Sequence, residues 1–413
     1  MAQQPPDPGP ATGAPDPRAA PGPGPRDEGT GTWATGGFQG GRPPRPAQPQ
    51  VPLAGYTTLR LGGPAGRFAE AADDVELVAQ VWAADERGEP LLVLGGGSNL
   101  VVADEGFPGT VVHVATRGIR HEPDGDRVLL TVAAGEDWDT VVAGTVADGL
   151  AGLECLSGIP GLAGATPIQN VGAYGQEVAQ TLLAVRGYDR ERGEVADLTA
   201  ADCGFGYRTS AFKRSLRSWA AGGPGVTGRF VVLGVTFRLE RSAWSAPVRY
   251  AELARALGVS EGGRAPLSEV RSAVLALRRG KGMVLDAADP DTRSAGSFFT
   301  NPVLDLAAFA ELERTVAASL GPGIRVPTFP AGPEQVKVPA AWLIERAGFA
   351  KGYRQGPDGH GARISAKHTL ALVNPGGTTT ASLLALAREV TGGVRKAFGV
   401  DLAAEPVLVG VDL

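Results

Sequence analysis

The apolar run Pro90-Leu-Leu-Val-Leu94 breaks directly into Gly95-Gly96-Gly97-Ser98-Asn99, and no other junction in the chain constrains its folding so tightly. A short apolar run between a proline and a glycine cluster reads as a buried strand. Three successive glycines let the backbone take positive φ and come close to whatever lies beside it. Upstream, Asp73 and Asp74 precede a helical pattern in which Val75, Val78 and Trp82 recur at three- and four-residue steps until Gly88. A helix feeding a buried strand and a glycine turn belongs to an α/β unit. The turn itself has two readings: a tight structural corner, or a set of backbone N–H groups that cradles a pyrophosphate. It is neither the dinucleotide fingerprint nor the P-loop, because Leu100 and Val101 follow Asn99.

A second glycine-rich segment runs from Ile159 to Gly175, too long and too polar for a hairpin turn. Loops of this length are either functional or structureless. Thr166, Gln169 and Asn170 within it suit hydrogen bonding to a flat polar ring system, unless the segment is only a loop. Around it, Thr110 to Val114 and Val128 to Val132 read as strands, and Asp137 caps a helix carrying Trp138, Val141, Val142 and Val146 on one face. Leu182 to Tyr188, Glu194 to Leu198 and Phe230 to Leu239 predict an antiparallel region, with Asp189 and Gly193 turning between the first two. Ser268 to Arg279 is a basic-ended helix. A last α+β segment from about Lys281 has helical patterns at Leu304 to Leu320, Ala340 to Ala347 and Thr380 to Phe398, and a strand-like run from His368 to Asn374. No internal repeat of fixed period is present.

Composition sets the limits. The chain has 60 glycines and 33 prolines among 413 residues, and residues 1–50 hold a disproportionate share of them. That stretch, with isolated Trp33 and Phe38, reads as a disordered tail. Roughly 360 residues are left, enough for two or three domains with their own cores. Lys and Arg total 39 against 44 Asp and Glu, a net charge of −5 with no block of one sign, which argues against a dedicated nucleic-acid binder. The N-terminus MAQQPPDPGP has neither the basic nor the apolar segment of a secretory signal, and no apolar window is long enough to span a membrane. A cytoplasmic location without membrane partners is expected. Cys155 and Cys203 form no CxxC pair, and His113, His121, His360 and His368 have no metal-ligand spacing, so no metal is expected.

Two further segments bear on chemistry. Phe205-Gly-Tyr-Arg-Thr-Ser210 sets Arg208 beside two aromatics, although a surface Arg is usually only solvated. In Ser294-Ala-Gly-Ser-Phe-Phe-Thr-Asn-Pro302, Ser297 lies between a glycine and two large apolar residues, which implies a partly desolvated hydroxyl. Such a serine is either a cap or turn residue or an acid.

Taken in order, Thr57-Thr-Leu-Arg-Leu-Gly-Gly63, LGGGSN at 94–99, IPGLAGATPIQNVGAYG at 159–175, FGYR at 205–208 and AGSFFTNP at 295–302 closely resemble the UDP-N-acetylenolpyruvoylglucosamine reductase family. The resemblance runs from about Ala54 to Val411. Tyr250 and the length between FGYR and AGSFF look like the longer of its two subclasses, type I, which has an extra loop that closes over substrate.

The resemblance implies an α+β fold: a two-part FAD-binding unit of the vanillyl-alcohol-oxidase or PCMH type, followed by a substrate-binding domain. The expected division is residues 54–118 and 119–280 for the FAD-binding parts, 281–399 for the substrate domain, and 400–413 returning to the site. It implies FAD and NADPH as cofactors and UDP-N-acetylglucosamine enolpyruvate as substrate, reduced to UDP-N-acetylmuramate for peptidoglycan, and through it cell-wall growth, cell shape and division. FAD would be held by Arg60, by Gly95, Gly96, Gly97, Ser98 and Asn99, and by Pro160, Gly161, Gly164, Ala165, Thr166, Gln169, Asn170, Gly172 and Ala173. Arg208 matches the cation that meets the substrate carboxylate, Ser297 the proton donor, and Glu405 the carboxyl group working with Arg208. The family usually has Pro before that Glu, whereas here Ala404 precedes it and Pro406 follows. Tyr250, Lys281, Asn301 and His368 match positions around the uridine diphosphate. An oxidase or dehydrogenase of the same cofactor fold, acting on another small molecule, is the alternative. A rival of another class is a non-catalytic nucleotide-sugar binder.

Overall fold

Helix α1 (Asp74–Glu86) starts where the sequence places it, its first turn closed by the Asp73 carboxylate accepting from Glu76 N–H at 2.8 Å. Its inward face differs from the expected one. Leu77, Val78, Val81 and Ala84 are buried, whereas Val75 and Trp82 are about half exposed. The helix lies between two sheets, so packing selects a different stripe from the one that spacing alone suggests. In the computed structural model, residues 47–220, 226–355 and 361–413 are described, all within the second of two units, Phe38–Leu413. Residues 1–46 of the expected tail and His360 lie outside the described residues.

The first sheet pairs Pro64–Ala71 and Leu91–Leu94 in parallel with a central Phe107–Val114, and adds Val51–Pro52 antiparallel at the edge. The second is antiparallel, in the order Glu194–Thr199, Leu182–Asp189, Phe230–Arg241, Arg127–Ala133, Ile119–Asp124. Helix α2 (Trp138–Ala147) is capped by Asp137 as expected. Trp138 packs 5.7 Å from the Phe237 ring. Leu77 and Val81 of α1, Leu91 and Val112 of the parallel sheet, and Val128, Val235 and Phe237 of the antiparallel sheet share one core. The two halves expected at 54–118 and 119–280 are therefore joined through α1.

Helix α3 (Ala211–Ala220) follows the FGYR turn. Helices α4 (Ala251–Leu257) and α5 (Leu267–Gly280) form a satellite with its own core of Leu253, Val270, Val274 and the buried Cys155 thiol. Helices α6 (Leu306–Leu320), α7 (Ala340–Arg346) and α8 (Thr380–Phe398) enclose the last core. Leu59, Leu61 and Val101 enter that core from the N-terminal region. Asp104 caps the start of α8 from outside the helix, accepting from Thr380 N–H at 2.7 Å and Ala381 N–H at 2.9 Å. Asn374 donates to the Leu59 carbonyl at 3.0 Å. These polar ties fix the C-terminal region to the segments around Leu59 and Asp104 that flank the first sheet.

The expected strand from His368 to Asn374 shrinks to Leu372–Val373, paired with Arg363–Ile364. Ser365 Oγ accepts from both Lys367 and His368 N–H, and His368 Nδ1 from Leu370 N–H. These local side-chain bonds divert the backbone from a ladder. Among the described residues no helix is long and apolar enough to cross a membrane, and no His, Cys, Asp or Glu cluster fits a metal.

Candidate active site

The two glycine-rich segments touch. A Cβ on Gly96 would lie 2.8 Å from the Gly161 Cα, and one on Gly97, where φ is +58°, would lie 2.0 Å from the Tyr56 carbonyl oxygen. Only glycine fits either place. Among the described residues, the N–H groups of Gly96, Gly97 and Ser98 donate to no protein acceptor. Asn99 Nδ2 bridges to Gln169 Oε1 at 3.0 Å and locks the loops together. The result is a backbone-lined cradle whose unused donors suit a pyrophosphate, at the wall of a cavity of about 330 Å3. The cavity continues past Trp138, Pro160, Thr166 and Gly172 to Arg208, Ser297 and Glu405.

Arg208 reaches that wall from a tight turn. Gly206 and Thr209 exchange backbone hydrogen bonds at 3.0 and 3.2 Å, which leaves Tyr207 and Arg208 as the central pair, with Arg208 at φ +51°. A non-glycine residue there costs about 1 kcal/mol or more. The turn is held by Asn170, whose amide donates to Gly206 O at 3.3 Å and Glu177 at 2.7 Å and whose oxygen accepts from Ala179 N–H at 3.2 Å. Arg208 Nη2 donates to Gly172 O at 3.2 Å. Asn170 and Tyr174 also have positive φ, so three such residues surround this corner. Strain gathered at one site is the signature of a held geometry.

Glu405 arrives from the far end of the chain. Val407–Val409 pairs in parallel with Leu100–Val102, directly after the glycine turn, and Val407 N–H donates to Asn99 O at 2.9 Å. Ahead of it, Glu405 N–H donates to Phe298 O at 2.9 Å, and Thr300 N–H to Ala403 O at 3.0 Å. The segment containing Glu405 is thus stitched to the one containing Ser297. Pro406, which has no N–H, falls between these two bonded positions, so its place after the Glu costs no hydrogen bond.

Glu405 Oε1 lies 3.1 Å from Arg208 Nε. The geometry is a charge contact without the alignment of a hydrogen bond, and Nε has no hydrogen-bond partner. Burial pushes the Glu405 carboxyl above its usual range, with Arg208 and then Lys213 acting in the opposite direction. Ser297, half-buried on the same wall, makes no hydrogen bond among the described residues.

Of the residues expected to hold a cofactor, Gly95 to Asn99, Pro160, Gly161, Ala165, Thr166, Gln169 and Gly172 line the cavity. Arg60, Gly164, Asn170 and Ala173 do not. Arg60 is exposed and donates to Gly55 O at 3.1 Å, and Asn170 is the strut just described. Lys281 and His368 come together on a second, more open cavity with Lys351 and Lys367. Lys281 Nζ donates to Glu252 at 2.6 Å and sits 5.6 Å from the Tyr174 ring. Burial, then Lys281, Lys351 and Arg278, push His368 down to about 4, so it is neutral at pH 7. Tyr250 stands 5.4 Å edge-on to Tyr174. Asn301 caps the entry to α7, accepting from Ala340 N–H at 2.9 Å. Tyr250 and Asn301 line neither cavity. Sequence reasoning missed Phe212, Lys213, Leu216 and Val226 to Gly228, which extend the first cavity along the Leu91–Leu94 strand. Thr227 Oγ1 accepting from Val93 N–H at 2.7 Å fixes this wall, and no motif marks it.

Residues 66–199 match the model of an FAD binding domain, and residues 289–409 that of the UDP-N-acetylenolpyruvoylglucosamine reductase C-terminal domain. The chain is 58% identical over 364 residues to a UDP-N-acetylenolpyruvoylglucosamine reductase of Thermobifida fusca, covering 88% of this chain and 98% of that protein. It is 57% identical over 364 residues to the protein of that name from Streptomyces coelicolor, covering 88% and 90%. Among solved structures it resembles the UDP-N-acetylenolpyruvylglucosamine reductase of Thermus caldophilus, with a TM-score of 0.57, 26% identity, and coverage of 88% of this chain and 98% of that one. The α+β architecture of an FAD-binding unit followed by a substrate domain is the one expected.

Proposed function

The chain belongs to the UDP-N-acetylenolpyruvoylglucosamine reductase family, and from that premise we propose that Ser297, Arg208 and Glu405 carry the reaction of an FAD-dependent reductase in peptidoglycan synthesis. The observation that carries this reading is the Arg208–Glu405 pair at 3.1 Å on the same cavity wall as Ser297, beyond the glycine cradle.

FAD fits the site: the unused N–H groups of Gly96, Gly97 and Ser98 would take its pyrophosphate, and the apolar walls of the cavity its rings. When bound and reduced by NADPH, FAD supplies a hydride to the methylene carbon of the enolpyruvyl ether. The remaining work falls to side chains. Arg208 meets the substrate carboxylate, where negative charge grows as the hydride arrives. Glu405, its carboxyl raised by burial, approaches that carboxylate with less repulsion than an ordinary ionised acid, and donates when it holds its proton. The Ser297 hydroxyl, with no protein acceptor, delivers a proton to the neighbouring carbon. Only a strongly basic carbon takes a proton from a serine, which is why the Arg208–Glu405 pair must keep the charge from settling fully on the carboxylate.

Lys281 and the neutral His368 supply the local positive charge and a ring N–H for the diphosphate, with Tyr250 and Asn301 at the approach. We place the reaction in the cytoplasm, with small molecules as its partners.

An anaerobic spectral titration tests the reading. Holoenzyme is expected to bleach on NADPH and to regain its colour on UDP-N-acetylglucosamine enolpyruvate. Colour that returns only with oxygen favours an oxidase of the same fold. Substitution at the cradle gives a second check: Gly97→Val, forced against the Tyr56 carbonyl at positive φ, is expected to purify folded but without flavin. Retention of stoichiometric FAD by that variant would show that the cradle is not where the cofactor binds.

A further inference from the structure

The last turn of helix α5 carries two basic residues, Arg278 and Arg279, and Arg278, the more buried of the two, has no role in the reaction proposed above. Arg278 lines the first cavity beside Gly282, Met283 and the segment from Ser294 to Ser297. One guanidinium nitrogen, Nη2, donates to Met283 O at 2.8 Å. Its Nε is buried and has no partner, and among the described residues Arg278 forms no ion pair. The nearby Asp139 does not supply one: its two oxygens are taken by Arg271 at 2.6 and 2.9 Å, and Oδ1 also accepts from Gly158 N–H at 2.6 Å. A Cβ added to Gly158 would lie 3.5 Å from Arg278 Nε, so the guanidinium rests against the start of the second glycine segment. Burial pushes the Arg278 group down to about 10, with too little opposing charge from Tyr174 and Asp139. It remains a cation at neutral pH. A buried cation with an unused donor costs stability unless an anionic partner joins it.

We propose that Arg278 is a cofactor-binding residue that donates Nε–H to an electron-rich oxygen of the flavin ring and so favours the reduced, negatively charged ring. This rests on the FAD reading above. The pyrophosphate has the Gly96 to Ser98 donors and the substrate carboxylate has Arg208. The redox-active ring must lie by Ser297, because hydride and proton go to adjacent carbons, and Arg278 lines the cavity with that same segment. A fixed positive charge beside a flavin is a means by which a protein tunes its electron affinity.

The test uses holoenzyme carrying Arg278→Met and Arg278→Lys, with the two-electron flavin potential read by dye-coupled titration beside FAD retention and substrate KM. R278M is expected to keep FAD, to shift its potential to more negative values, and to be reduced by NADPH roughly tenfold or more slowly, the effect of losing one charged hydrogen bond. R278K, which restores a point charge, is expected to recover part of the shift. Should R278M fail to fold, the neutral Arg278→Gln takes its place, and a wild-type potential in that variant with FAD retained would overturn the proposal. So would an R278M flavin of unchanged potential, including the case where substrate KM rises about tenfold, which assigns the cation to substrate. Wild-type protein that takes up no FAD would instead overturn the cofactor reading beneath it.

Discussion

Ser297→Ala is expected to bind FAD and to bleach with NADPH as the wild type does, and then to regain colour with UDP-N-acetylglucosamine enolpyruvate on the order of 10²–10⁴-fold more slowly. The cradle residues Gly96 to Asn99 do not depend on the Ser297 hydroxyl, which makes no hydrogen bond among the described residues, so its loss removes a proton and nothing else. Anaerobic stopped-flow separates the two half-reactions. Equal slowing of both would mean that the substitution disturbs the site as a whole, and unchanged reoxidation would remove Ser297 from the mechanism.

Glu405→Gln is expected to lower kcat roughly 10²–10³-fold, the size of losing one group aimed at developing charge, while making the folded protein harder to melt at alkaline pH. The sign follows from the raised carboxyl. In the unfolded chain Glu405 ionises near the ordinary 4.5, and in the folded chain burial holds its proton to higher pH. Its contribution to stability is complete below 4.5 and is lost as pH rises through the folded value. Glutamine never ionises, so it escapes that loss. Melting curves are expected to coincide near pH 4 and to separate by pH 8, with E405Q the higher. A lower melting temperature for E405Q at pH 8 would show that the attraction to Arg208 and Lys213 outweighs the burial of the charge. The trade between stability and activity is a familiar property of groups placed for chemistry.

Legibility differed from segment to segment for identifiable reasons. The Leu91–Leu94 strand, the caps at Asp73 and Asp137, and the span of α8 depend on neighbours a few residues apart, and each lies where local pattern puts it. The inward face of α1 does not, because both sides of that helix are covered and Trp82 is left half exposed. The short Val407–Val409 strand has no period to read, yet its pairing with Leu100–Val102 is what delivers Glu405. Asn170 shows the same limit within the site: its residue type suits a ligand, but its amide is spent on Gly206, Glu177 and Ala179.

By itself the order of motifs determined the family and the cofactor class, and through that resemblance it singled out Arg208, Ser297 and Glu405 as the residues proposed to act, since glycine turns and caps impose local structure wherever they are placed. Only the tertiary structure decided that Arg208 and Glu405, 197 positions apart in the chain, meet at 3.1 Å, that Phe212, Lys213, Leu216 and Val226 to Gly228 close the far end of the cavity, and that Arg278 is left with an unpaired donor inside it. Those are contacts between distant segments, fixed by which faces pack together, and side-chain spacing along one segment has no information about the neighbour that another segment will bring.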